Sequence, residues 1–101
     1  MKAELSKSNT KNKKYKVVII DGDTKKTINF GQKGYEDFTT HKDPKRKENY
    51  ITRHKSREDW SDPFTAGYWS RWILWNKPTI EQSLQDLRKR FPSLKIVNKI
   101  T

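Results

Sequence analysis

The chain has 101 residues, of which 31% are hydrophobic and 35% charged, with 23 Lys and Arg against 12 Asp and Glu and a formal net charge of +11. The apolar share lies well below the roughly 45–50% of an average soluble chain, so one small domain with a thin core is the expected limit. The absence of cysteine excludes disulfide frameworks and thiolate metal sites, and the longest apolar run, YWSRWILW, is interrupted by Arg71 and too short to span a bilayer.

Residues 1–14 are polar and lysine-rich, with Lys2, Lys7, Lys11, Lys13 and Lys14 against a single Glu4. No apolar run of the secretory type opens the segment, so an intracellular or packaged protein is expected. On composition, residues 1–14 form a flexible tail and residues 15–101 a single α+β domain. Tyr15–Ile20 is rich in β-branched residues and reads as a strand, with Asp21-Gly22-Asp23 as turn formers. Ile28 and Phe30 alternate with polar neighbours, which completes a β-hairpin over 15–30. Gly31 and Gly34 punctuate its exit, and Tyr35–His41 has room for a helical turn.

Asp43-Pro44 is a helix start, an N-cap acid followed by proline at the first helical position. It predicts a basic helix over 44–57 with Lys47, Tyr50, Ile51 and His54 on one face. Ser61-Asp62-Pro63 breaks the chain. Thr65 then caps a short helix over 66–75 that is apolar nearly all round, which predicts burial from several sides. Thr79 with Gln82 reads as a capping box for a last helix over 80–90 that turns Ile80, Leu84 and Leu87 inward. A strand over 94–97 would join the hairpin in a small antiparallel sheet packed by two or three helices.

Four tryptophans, Trp60, Trp69, Trp72 and Trp75, fall within sixteen positions. Exposed rings stack on bases in single-strand binders, and tryptophans also anchor protein contacts. So few other residues can fill a core that at least two of the four are expected inside it, with at most one or two left exposed.

The charge excess is a positive field that attracts nucleic acid, anionic lipid or an acidic protein surface. Its densest part is the basic helix, with Lys42, Lys45, Arg46, Lys47, Arg53, Lys55 and Arg57, to which Lys13 and Lys14 of the tail add. Such density suits phosphate contacts, although Asp43, Glu48, Glu58 and Asp59 are interspersed and pair some of these charges along the helix.

Catalytic constellations are missing from this pattern, and an enzyme is not expected. Asp21-Gly22-Asp23 opens like a calcium loop, but Lys25 and Lys26 fall inside it and Gln32 stands where a bidentate glutamate belongs. His41 and His54 are the only histidines, with neither HExxH spacing nor cysteine partners for zinc. Gly31-Gln32-Lys33-Gly34 lacks the phosphate-loop pattern. No catalytic residue, metal or cofactor is therefore expected.

Beyond these local readings, Phe30-Gly31, Gly34-Tyr35, His41-Lys42-Asp43, Arg46-Lys47, Tyr50 and Arg53-His54 form a pattern with the segments that follow. Those are Thr65-Ala66-Gly67, the string from Trp69 through Trp75 to Thr79, and Arg90-Phe91. Over residues 15–92 the chain resembles a family of small basic proteins encoded by nucleocytoplasmic large DNA viruses and some algal hosts. The resemblance implies a viral setting and nothing about catalysis. With the charge pattern, it leads to the expectation of a non-enzymatic virion component, a minor capsid or capsid-associated protein. Its partners would be acidic surfaces of capsid or other virion proteins, against which the tail becomes ordered. It would reside in the virion, and in the host cytoplasm during assembly. The alternative is a DNA- or RNA-binding protein that lays the basic helix on phosphates.

Overall fold

Strand-like alternation of apolar and polar residues occurs four times in the chain. The computed structural model, which describes residues 1–100, joins these stretches in one sheet. Its strands are β1 (Lys2–Lys7), β2 (Lys13–Asp21), β3 (Thr24–Gln32) and β4 (Lys95–Asn98), in the order β3-β2-β1-β4. β2 and β3 form the expected hairpin, with Gly22 at φ +60° in the turn. A positive φ there is the reason a glycine is needed.

Residues 2–7 are not a flexible tail. They form β1, an inner strand paired antiparallel to β2 on one side and parallel to β4 on the other. Ala3 and Leu5 alternate with polar residues and are fully buried, so two apolar side chains at period two anchor the segment despite its lysines. Residues 8–12 turn the chain back, with Asn12 in the left-handed region. The radius of gyration, 13.0 Å, equals the ~13 Å typical of a compact chain of about 100 residues, in keeping with a first strand built into the sheet.

The sheet is accordingly mixed rather than antiparallel. The strand expected over 94–97 exists, but it pairs with β1 instead of extending the hairpin. The α+β class holds, with helices α1 (Phe38–His41), α2 (Pro44–His54), α3 (Ala66–Trp69) and α4 (Ile80–Arg90).

One face of the sheet supplies Ala3, Leu5, Val17, Ile19, Ile28, Phe30 and Ile96 to the core. The segment from α3 onward meets them with Tyr68, Trp69, Ile73, Leu74, Leu84, Leu87 and Leu94. The helix expected over 66–75 changes character midway. After α3, Ser70–Leu74 form a π-helical turn, closed by the Trp75 N–H donating to the Ser70 carbonyl at 3.0 Å. Hydrogen bonding at i→i+5 brings residues five apart into line. Trp69 and Leu74 can then both enter the core beside Ile73. Gly31, at φ +75°, lies against this turn, and a Cβ there would stand 2.8 Å from Leu74 Cδ1.

α2 is shorter than the expected 44–57. It starts as read, with the Asp43 carboxylate accepting the Lys45 N–H at 2.9 Å and Pro44 following. It stops at His54, where the Arg57 N–H donates back to the His54 carbonyl in a tighter i→i+3 turn. α4 has the expected bounds, and Thr79 caps it through the Gln82 N–H. Arg88, Lys89 and Arg90 in its last turn complement the helix dipole.

Candidate functional site

The open end of the hairpin, the loop before α1, α2 and the segment from α3 through the π-helical turn enclose a cleft of about 480 Å³. Its position depends on Asp37. This buried carboxylate caps α1 by accepting the Thr39 N–H at 2.9 Å and takes the Lys14 ammonium of β2 at 2.7 Å. Lys14 therefore ties the helix to the sheet, and its charge is spent on that tie. Its neighbour Lys13 lines the cleft.

The opposite wall is the face of α2 that carries Arg46, Tyr50, Arg53 and His54, at helical spacings of three and four. A second groove of about 510 Å³ runs along Asn49 and Thr52, and Arg46, Arg53 and Trp75 line both grooves. Arg46 meets Glu36 at 3.8 Å with both side chains exposed, a contact worth roughly 0–1 kcal/mol. Among the described residues, Arg53 and Lys13 form no ion pair. Lys13, Arg46 and Arg53 share the lining with Glu36, Asp37 and Glu58, of which Asp37 is engaged by Lys14, Glu58 by His54 and Trp60, and Glu36 only loosely by Arg46.

The floor is a column of rings. Tyr50 stacks on Trp75 with centroids 4.4 Å apart and planes 2° apart, and on His54 at 4.2 Å and 23°. His41 packs against Trp75 from a tilt at 5.3 Å. Both faces of Tyr50 are covered and one face of Trp75 is taken, so the column stiffens the cleft instead of offering rings to a ligand. Burial, and then the nearby Glu58 charge, pushes the Tyr50 hydroxyl far above its ordinary pKa and keeps it protonated. Glu58 itself is held by the Trp60 indole N–H at 3.0 Å and His54 Nδ1 at 3.4 Å. It sits against Gly67, where a Cβ would come within 2.9 Å of its carboxylate.

The exposed ring is a residue that composition did not single out. Tyr35 lines the lip of the cleft with a relative exposure of 67%. A tyrosine inside the polar stretch GQKGYED, with no apolar neighbour, was the available signal.

The predicted basic residues divide into two groups. Arg46, Arg53, Lys13 and Lys14 line the cleft. Lys42 and Lys47 serve the fold. Lys42 donates to the Thr39 and Pro78 carbonyls, and Lys47 donates to the Asn76 carbonyl at 2.6 Å over the Phe38 ring. Burial, with repulsion from Arg71 and Lys77, holds the Lys47 ammonium below the ordinary lysine pKa. Lys45, Lys55 and Arg57 are exposed and line no part of the cleft.

Of the tryptophans only Trp69 is fully buried, where at least two were expected. Trp72 and Trp75 pack on the core half-buried, and Trp60 lies outside it. The reason is cationic: the Arg71 guanidinium lies over Trp60 and Trp72, and that of Arg90 over Trp72. Arginine planes cover aromatic faces that apolar side chains would otherwise have to cover.

The Asp21–Asp23 segment is the hairpin turn. Among the described residues no group of three His, Asp or Glu is placed to hold a metal ion, and no helix is long and apolar enough to cross a membrane.

A family pattern covers residues 3–54, just over half of the chain. The chain belongs to a family of unknown function, DUF5754. The DUF5754 segment opens inside β1 and closes at the last residue of α2. It therefore holds three of the four strands together with Lys13, Tyr35, Arg46 and Arg53, while the tryptophan-rich segment lies beyond it. No curated protein and no solved structure matches the chain.

Proposed function

We propose that this protein is a non-enzymatic binder of single-stranded nucleic acid, and that the cleft between the hairpin end and α2 is where the strand lies. One observation carries the reading: the exposed Tyr35 ring stands at the lip of a cleft that Lys13, Arg46 and Arg53 also line. An aromatic face for a base beside cations for the backbone is the combination that single-strand binders use. Guanidinium forks suit phosphate oxygens, and the two arginines are spaced seven residues apart on one helix face. The net charge of +11 would speed the encounter.

Fluorescence anisotropy with a labelled oligothymidylate tests this. With three cations on phosphates, log K should fall against log salt with a slope of about −2, at roughly 0.7 per contact. Tyr35→Ala should cost about 1–3 kcal/mol of affinity, and a duplex of the same length should bind more weakly. Binding that ignores salt, or that is unchanged in Tyr35→Ala, contradicts the reading.

A virion component with acidic neighbours is the second reading. It is supported by the resemblance through Trp69–Thr79 and by a lysine-rich sheet surface turned away from the helices. It can no longer draw on a tail ordered by neighbours, because residues 2–7 are ordered by the sheet. Mass spectrometry of purified particles decides it.

A further inference from the structure

The sheet covers only one of its faces. Its inner side chains meet α3, the π-helical turn and α4, while the alternate residues of every strand point away from the helices. The register places Lys25, Ile20, Lys2 and Lys95 in one row across all four strands. Lys2 and Lys95 are therefore direct neighbours across a strand pair, a juxtaposition of like charges that is unfavourable when left alone. The next row holds Val18, Glu4 and Val97, and Lys16 and Lys99 flank it. Among the described residues Glu4 is the one acid on this face, and it is already engaged by Lys99 at 2.9 Å and Lys2 at 3.7 Å. Those contacts hold its carboxyl below the usual range.

The middle of this face is aliphatic. Val18 and Ile20 are half-buried and Val97 is 36% exposed. An apolar centre with a charged rim is the anatomy of a protein interface. Among the described residues the face presents no aromatic ring on which a base could stack and no arginine fork for phosphate, in contrast to the cleft.

We propose that the outer face of the sheet docks an acidic protein segment that carries aliphatic side chains. The aliphatic groups seat on Val18, Ile20 and Val97, and carboxylates relieve the Lys2–Lys95 repulsion. Four strands about 4.8 Å apart present a patch on the order of 300–400 Å², below the ~800 Å² per partner of a standard interface. The contact is therefore weak, salt-sensitive and suited to repeated or multivalent engagement. This inference does not depend on the cleft.

Nuclear magnetic resonance titration of the full chain tests it. The probe is a helical peptide with leucines along one face and glutamates flanking them. Polyglutamate and oligothymidylate serve as comparisons. The peptide should shift amides of Lys2, Val18, Ile20 and Val97 while leaving Tyr35 and Arg53 in place. It should bind more tightly than polyglutamate, and the Lys2→Glu/Lys95→Glu variant should weaken it roughly tenfold or more. Three results overturn the proposal: peptide shifts confined to the cleft, polyglutamate binding as tightly as the peptide, or oligothymidylate shifting the sheet face. Absence of peptide binding by wild-type protein also overturns it, whatever the cleft does with nucleic acid. Should the double variant lose its dispersed spectrum, the wild-type shift map and the polyglutamate comparison still decide.

Discussion

Deleting residues 2–8 is expected to abolish cooperative folding. β1 is paired along its whole length with β2 and, among the described residues, is the only strand partner of β4. Its loss removes the burial of Leu5, worth roughly 1.5–3 kcal/mol, and exposes the inner faces of Val17, Ile19 and Ile96, which pack beside it. It also removes two ladders of backbone hydrogen bonds, each bond contributing on the order of 0.5–1.5 kcal/mol net. A domain of this size has only about 5–15 kcal/mol in total, so the truncated chain has no margin. Urea denaturation followed by circular dichroism should show a gradual, non-sigmoidal change. A flexible tail would leave the midpoint of wild type, and that result would refute the placement of β1.

The second large effect concerns Trp69. Its ring is fully buried between Phe30, 6.4 Å away, and Tyr68, 5.1 Å away, and its indole N–H donates to the Pro63 carbonyl at 2.7 Å. Trp69→Ala opens a cavity and leaves that carbonyl without its partner, at an expected cost of about 3–5 kcal/mol. Trp60→Ala removes a half-buried ring outside the core and should cost no more than about 1–2 kcal/mol. Equal losses for the two variants in urea titration would show that the tryptophans act as one cluster, against the division described above.

These two residues mark what sequence reading reaches. Elements with local signals were legible: the Asp43-Pro44 start of α2, the Thr65 and Thr79 caps, and the alternation of β2 and β3 all use information within a few residues. β1 was not legible, because Lys2–Lys7 has only two apolar positions and its partners lie elsewhere, β4 more than eighty residues along the chain. The π-helical turn was hidden for a related reason. Nothing in SRWIL departs from helical propensity, and the extra residue per turn is imposed by seating Trp69, Ile73 and Leu74 together on the sheet. In the cleft, the arginines of α2 were legible as charge. The allocation of Lys42 and Lys47 to backbone carbonyls, and the exposure of Tyr35, required the tertiary fold.

Charge alone and a built cleft make different claims about binding, and one comparison separates them. Arg46→Glu/Arg53→Glu and Lys45→Glu/Lys55→Glu change the net charge of the protein by the same amount, on the same helix or its C-cap, at exposed positions. Only the first pair lines the cleft. Affinity for oligothymidylate at physiological salt, where the screening length is about 8 Å, should fall on the order of a hundredfold for the arginine variant. The lysine variant should stay within roughly threefold of wild type. Equal losses in the two variants would mean that the strand follows the field of the whole protein, and the cleft would not be its site.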